Sequence, residues 1–137
     1  MHQLNEPPAW VERWIGLPFE DRGRGPRAFD CWGLARAVLF ERRGVELPSW
    51  DDYETTDDVA AIAIYVSKHV DRFERVESPR EGSLVLLRCE GHRSHVGVCV
   101  GGTWFLHTLR GVCSALERFD SIGWSRRIEG FYEVVPR

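Results

Sequence analysis

The 137-residue sequence predicts one α+β domain, residues 1–137, with N-terminal helices packed on a C-terminal antiparallel β-sheet. Helical periodicity and helix-end signals occupy the first half of the chain, whereas short apolar and β-branched runs bounded by glycine or charge occupy the second half. Helices followed by a run of strands favour an antiparallel sheet over alternating βαβ units. A hydrophobic content of 43% with six tryptophans is enough for one core at this length.

The first and third predicted helices are indicated by signals at their ends. A double proline is an opening signal and Gly16 is a stop, which together predict a short helix from Glu6 to Trp14. The run DDVAAIAIYVSKHV predicts a third helix that begins with Asp57 as its cap and ends at about His69.

The second predicted helix places a thiol at its first turn. Asp30 is a candidate N-cap, because its carboxylate can accept a hydrogen bond from a backbone N–H of that turn, and Gly44 is a typical C-terminal stop. Cys31 falls on the stripe that this helix would bury, together with Leu34 and Val38. The thiol is therefore expected to point inward at the beginning of the helix.

Short runs rich in β-branched and apolar residues predict the strands of the second half. The five predicted strands are Ser83 to Cys89, His95 to Val100, Thr103 to Thr108, about Gly111 to Leu116, and Ile128 to Val135. Cys99 and Cys113 lie inside such runs, so both are expected to pack in the core. In a chain of this size with a large core no disulfide framework is needed, and all four cysteines are interpreted as thiols.

A double glycine predicts a hairpin whose register decides where two histidines point. A two-residue loop at Gly101–Gly102 would place His95 and His107 on opposite faces of the sheet. A three-residue loop from Val100 to Gly102 would place them across from each other on one face, with Cβ atoms about 5 Å apart. The double glycine permits either loop, so both registers stay open at this point.

A thiol at a helix start and two imidazoles on a facing strand pair would have the composition of a cysteine-hydrolase site. A helix N-terminus and a neighbouring imidazolium favour the thiolate of Cys31. An imidazole can accept the thiol proton as a general base, and a third polar group can fix the tautomer of that imidazole. N–H groups of the first helical turn can donate hydrogen bonds to an oxyanion. This chemistry gives a reason for a cysteine, rather than another apolar residue, at that position.

Four segments in this order and spacing resemble the NlpC-type cell-wall cysteine peptidases, and especially their bacteriophage tail-assembly branch. The segments are FDCWGL, SPREGSLVLL, SHVGVCVGG and FLHT, and the closing SRRIEGFYEV is also similar to that branch. The resemblance covers the chain from about Trp14 to Tyr132. It implies a papain-like fold, no cofactor, and cleavage of the D-γ-glutamyl-diaminopimelate bond or a nearby amide of peptidoglycan stem peptides.

The resemblance also implies roles for individual residues. Cys31 matches the nucleophile, His95 the general base and His107 the third polar residue, which makes a Cys-His-His triad. A second group is expected at the substrate site: Asp30, Trp32, Phe19 and Ser94. Within that group, Phe19 stands where the family commonly has a tyrosine that assists at the oxyanion. Many cell-wall members have serine at the position of Trp32, whereas the phage-like branch has tryptophan there, as this chain does.

Two alternatives compete with this hydrolase interpretation. The segment CEGHRSHVGVC has zinc-like spacings, but Cys99 would lie about 13 Å from His95 along an extended strand at roughly 3.3 Å per residue, too far to share one ion. Cys89, His92 and His95 could still converge through their loop, but they would lack a fourth protein ligand, so no metal site is expected. The other alternative is a non-catalytic tail-assembly or partner-binding module with the same fold. Arg22, Arg24 and Arg27, just before the nucleophile, are interpreted either as contacts for substrate carboxylates or as a solvated charged loop.

Charge and hydropathy limit the expected partners. A formal charge of −3 and a pI near 6.0 give no global reason to expect nucleic acid binding. The longest apolar run, Val59 to Val66, is far short of the roughly 18 residues of a transmembrane helix, so no membrane partner is expected. The N-terminal segment lacks the features of a secretory signal. Synthesis in the cytoplasm is therefore expected, with the virion tail as a destination, and peptidoglycan peptides and phage tail proteins as partners.

Overall fold

A computed structural model describes residues 6–56 and 58–134 and confirms the predicted α+β class. One six-stranded antiparallel sheet has the strand order β1-β6-β2-β3-β4-β5. The strands are β1 (Phe73–Val76), β2 (Leu84–Cys89), β3 (His92–Gly101), β4 (Trp104–His107), β5 (Ala115–Arg118) and β6 (Ile128–Val134). The α-helices are α1 (Cys31–Arg43), α2 (Val59–His69) and α3 (Ile122–Ser125), with 3₁₀ helices at Ala9–Trp14 and Val70–Arg72.

The ends of α1 are as the sequence predicted. The Asp30 side chain accepts from the Gly33 N–H, and Gly44 adopts the left-handed conformation with φ of 67°. The buried stripe of α1 packs against β3 and β4, and Cys31 is the first residue of that stripe. The cap therefore determines where the thiol meets the sheet.

The other two predicted helices differ from expectation at their N-termini. The first is a 3₁₀ helix that begins only at Ala9, because Pro8 is held in an extended conformation and a residue before proline avoids the helical region. The predicted cap of α2, Asp57, lies outside the described residues. Asp58 caps α2 instead, where its carboxylate accepts from the N–H of Ala61.

The sheet contains one strand that the sequence did not predict. β1 pairs with β6 at the edge of the sheet and carries Glu74 and Arg75 on its exposed middle, so it lacks the apolar run by which strands were recognised. The predicted strand at Gly111 to Leu116 begins later, at Ala115, because Gly111 has φ of 79° in a turn. That turn leaves Cys113 exposed, and its predicted core position was wrong, whereas Cys99 is buried as expected. All four cysteines are free thiols.

The β3–β4 hairpin adopts neither of the two predicted loops. Gly101 pairs with Trp104 across a two-residue turn, one residue later than expected, and a bulge at Val100 then shifts the pairing so that Cys99 lies opposite Phe105. Without the bulge, alternation along the strands would place the two histidines on opposite faces. The bulge restores a common face, and the rings of His95 and His107 are in contact.

The core has one cluster on each face of the sheet. The larger cluster lies between α1 and the sheet, and the smaller one gathers Val85, Leu87, Cys99, Phe105 and Trp124 on the opposite face. Among the described residues, no helix combines the length and the apolar character needed to cross a membrane.

Gly33 lies where the first turn of α1 closely approaches the preceding loop. A Cβ at Gly33 would overlap the backbone carbonyl of Gly23, which cannot rotate away. Gly33→Ala is expected to lower the free energy of unfolding by about 1–3 kcal/mol, measured by urea denaturation. The matched change Gly123→Ala, in α3 with open space around it, should alter stability by less than about 0.5 kcal/mol. Equal effects of the two substitutions would contradict this close packing.

Candidate active site

Cys31 lies where the first turn of α1 meets β3. Its side chain is buried, and the backbone N–H groups of Val96 and Trp32 approach the sulfur closely enough to favour its charged form. Val96 follows His95 directly along β3, and Cys31 and His95 border the same cavity. The structure therefore brings the predicted nucleophile and the predicted base to one place.

Asp30 organises the loop in front of the thiol. Its side chain is 0% exposed. One carboxylate oxygen accepts from the Gly33 N–H at 2.9 Å and from Arg24 Nη1 at 2.8 Å, and the other accepts from the Arg22 N–H at 2.9 Å and from the Tyr53 hydroxyl. Both oxygens are thus engaged within the protein, and Asp30 is not open to a ligand, although it was predicted at the substrate site.

Arg24 connects that loop to the segment before α2. Its guanidinium pairs with Asp30 and donates to the carbonyl oxygen of Ser49 at 2.8 Å and to the Tyr53 hydroxyl at 3.0 Å. Only 15% of the side chain is exposed. Arg24 is therefore an internal brace, which matches neither a substrate contact nor a solvated loop residue.

A chain of hydrogen bonds runs from His95 to the edge of the sheet. Nε2 of His95 is 2.8 Å from Nδ1 of His107, and Nε2 of His107 is 2.8 Å from Oε2 of Glu117. The other carboxylate oxygen of Glu117 accepts from the indole N–H of Trp124 at 2.8 Å. His107 thus lies directly behind His95, between that ring and Glu117.

Both histidines favour the neutral form in this environment. Burial lowers the pKa of His95 well below its usual value, and the nearby His107 and Arg127 lower it further. Burial also lowers the pKa of His107, although the hydrogen bond and the charge of Glu117 oppose that shift. The resting site therefore contains two uncharged imidazoles.

The thiol is uncharged as well. Burial, followed by the negative charge of Asp30, raises the pKa of Cys31 to about 12, and the N–H groups of Val96 and Trp32 offset only part of this increase. The sequence-based expectation of a thiolate beside an imidazolium is thus not met in the resting site.

An apolar cavity of about 110 Å³ opens beside Cys31 and His95. Trp32 forms one wall, where its ring stacks on Trp50 at a centroid distance of 5.3 Å and its indole N–H donates to the Pro48 carbonyl. Aromatic and aliphatic side chains of α2 and the sheet complete the lining. A substrate group bound in this cavity would meet little polar surface.

The remaining predicted substrate-site residues fall in different places. Ser94 borders the cavity next to His95. Phe19 lies outside that lining, half-buried, with the Arg110 guanidinium 5.4 Å from its ring centroid. The structure thus brings Trp32 and Ser94 to the thiol, and it does not bring Phe19 there.

Sequence reasoning missed Glu117, Tyr53 and Trp124 as parts of this site. Glu117 lay beyond the predicted end of its strand, so its position relative to His107 could not be inferred. In the observed register His107 pairs with Ala115, and period-two alternation places Glu117 on the same face as His107. Tyr53 reaches Asp30 from a segment that carries no periodic pattern.

No group of three His, Cys, Asp or Glu side chains is placed to hold a metal ion within residues 6–56 and 58–134. Of the residues with zinc-like spacing, Cys89 and His92 pair across the β2–β3 turn, whereas His95 is bonded to His107 and Cys99 is buried in the smaller core cluster with Phe105 and Trp124.

Comparisons of this chain with family models, curated proteins and solved structures all indicate the same family. The model of the NlpC/P60 family matches residues 16–132. The murein DD-endopeptidase MepS/murein LD-carboxypeptidase of Escherichia coli K12 is 26% identical over 124 residues, which covers 90% of this chain and 59% of the relative. Protein P54 of Enterococcus faecium is 26% identical over 95 residues, or 69% of this chain and 16% of the relative. The chain thus spans about three-fifths, or less, of these curated relatives.

Solved structures share the fold. The NlpC/p60 domain of the peptidoglycan hydrolase SagA superposes with a TM-score of 0.59 at 21% identity and covers 93% of this chain and 94% of that domain. An NLP/P60-family protein of Staphylococcus aureus Mu50, described as similar to lipoprotein, gives a TM-score of 0.63 at 20% identity over 91% of this chain and 39% of that one. These likenesses confirm the papain-like α+β architecture.

Because His95 and His107 are buried in the neutral form, the folded protein is expected to lose stability in acid. A histidine whose pKa is lower in the folded state than in the unfolded chain stabilises the fold fully above about pH 6.5, and this contribution falls as the pH decreases. For His95 and His107 the expected fall is up to about 1.4 kcal/mol per pH unit for each ring, measured by urea denaturation between about pH 7 and pH 5. The double change to asparagine should flatten this dependence, whereas His92→Asn, at an exposed position, should retain it. An unchanged slope in the double variant would contradict the buried neutral pair.

Proposed function

The chain belongs to the NlpC/P60 family, and we propose that it is a cysteine peptidase that hydrolyses amide bonds of peptidoglycan stem peptides. The observation that supports this activity most directly is the placement of Cys31 and His95 on one cavity, with His107 hydrogen-bonded behind His95. A thiol, a base and a group that orients the base are the parts that nucleophilic amide hydrolysis requires.

The neutral resting state defines the order of proton transfers in the proposed reaction. Cys31 Sγ attacks the scissile carbonyl carbon while its proton passes to the ring nitrogen of His95 that does not face His107. The resulting imidazolium gives this proton to the leaving amine when the C–N bond breaks. Water then attacks the thioester with His95 as its base, which releases the carboxylic acid and returns the proton to the sulfur.

The first turn of α1 supplies the proposed oxyanion site. The Gly33 N–H is used by the Asp30 cap, and the Leu34 N–H bonds to the Asp30 carbonyl. The Trp32 N–H is directed at the sulfur itself. The backbone N–H of Cys31, at the positive end of the helix dipole, is therefore the first-turn donor assigned to the oxyanion. In this assignment the backbone performs the role that the family's tyrosine hydroxyl would otherwise share.

The proposed bond is the D-γ-glutamyl-diaminopimelate linkage of the stem peptide. This choice follows the motif resemblance, and the murein endopeptidase name of the Escherichia coli relative supports the wider substrate class. Since that relative is a longer protein, its own specificity is not transferred. We further propose a bacteriophage tail as the working location, with tail proteins as partners, on the resemblance of SRRIEGFYEV to the tail-assembly branch.

Digestion of purified diaminopimelate-type peptidoglycan tests the activity and the bond together. The parent protein should release fragments with a new amine on diaminopimelate, identified by mass spectrometry. Cys31→Ser should slow release by about 10³-fold or more, because an alcohol replaces the nucleophilic thiol. Cys113→Ser, at an exposed thiol, should leave the rate unchanged. Equal release by the Cys31 variant would contradict the proposal, and no release from a folded parent would favour the non-catalytic tail module.

A further inference from the structure

We propose that Glu117 is a positioning residue that sets the tautomers of both active-site histidines, so that His95 presents a lone pair to the thiol. This inference rests on the proposed role of His95 as the base for Cys31. Glu117 belongs to β5, at the edge of the sheet, and acts only through His107.

The carboxylate fixes the direction of the first hydrogen bond. An ionised carboxylate can only accept, so the contact of 2.8 Å between Glu117 Oε2 and His107 Nε2 requires the proton on Nε2. A neutral imidazole carries one N–H, and Nδ1 of His107 is therefore an acceptor. His107 is 2% exposed, so water does not compete for this nitrogen.

The hydrogen bond between the two rings then determines the tautomer of His95. Since Nδ1 of His107 accepts, Nε2 of His95, 2.8 Å away, must donate. The neutral His95 ring then has its lone pair on Nδ1, the nitrogen not bonded to His107, and can take the proton of Cys31. The opposite tautomer of His107 would reverse both bonds and place an N–H on that nitrogen, where a base is needed.

Because Trp124 occupies one oxygen of Glu117, position 117 needs a carboxylate with two acceptor oxygens, and a side chain with one acceptor oxygen is not sufficient. Its indole N–H is a donor only and occupies Oε1 of Glu117 at 2.8 Å. In Glu117→Gln the single amide oxygen would face this indole, and the NH₂ group would face His107 Nε2. A donor at that point favours the reversed tautomers of both rings. The substitution thus changes the proton arrangement while preserving the shape of the side chain.

Removing the indole donor should reverse the effect. In Glu117→Gln with Trp124→Phe, no indole N–H competes for the amide oxygen, which can turn to accept from His107 Nε2. A purely structural role of Glu117 predicts the opposite, since Trp124 packs on the rings of His95 and His107 and its loss would add to any damage.

Nitrogen-15 NMR of the imidazole rings tests the inference without a substrate. The parent should show His95 and His107 protonated on Nε2, Glu117→Gln should show both protonated on Nδ1, and the double variant should return to Nε2. Signals are assigned by their loss in His95→Asn and His107→Asn. The matched control is Glu129→Gln, whose carboxylate pairs with Arg88, and it should keep the parental spectrum. Identical ring spectra in the parent and in Glu117→Gln would overturn the inference.

Peptidoglycan digestion then links the tautomers to the reaction. Glu117→Gln should lower kcat on the order of 10²-fold or more with little change in KM, because a wrong tautomer removes the base and leaves binding intact. The double variant should recover part of kcat. Full activity with reversed tautomers would overturn the positioning role, whereas an inactive parent with the expected ring spectra would overturn the proposed peptidase activity instead.

Discussion

The buried carboxylate of Asp30 is the constraint on which the arrangement of the site depends. A charge with no exposure to water is expensive to bury unless donors satisfy both oxygens, and here two backbone N–H groups, a guanidinium and a phenol do so. These bonds start α1 at Cys31 and hold the preceding loop against it. Through Arg24 they also reach Ser49 and so fix the segment that leads to the cavity wall.

Burial and then the same carboxylate determine the protonation state of Cys31, the proposed nucleophile. Its charge adds to the effect of burial on Cys31 and keeps the thiol protonated, so the helix N-terminus alone does not make the site reactive. In the proposed mechanism, reactivity then depends on a base that accepts the proton during attack. The hydrogen-bond chain behind His95 provides that base with an anchored orientation, and its far end is a carboxylate at the partly exposed edge of the sheet.

Local signals in the sequence predicted the parts of the site that local physics determines. The capping residue Asp30 and the terminator Gly44 act within a few residues of themselves, and α1 was predicted with its observed bounds. The hairpin register was not predictable, because the bulge at Val100 arises from how two strands fit the whole sheet. Arg24 and Glu117 depend on partners far along the chain or on a strand register, and neither is visible in a linear pattern.

The proposed mechanism requires that Cys31 forms a covalent acyl intermediate during amide hydrolysis. Acid-quenched mass spectrometry of the protein during turnover of a purified stem peptide measures this directly. An adduct with the mass of the peptide's acyl portion is expected on Cys31 and on none of the other three cysteines. Steady hydrolysis without an adduct on Cys31, or an adduct on another cysteine, would contradict it.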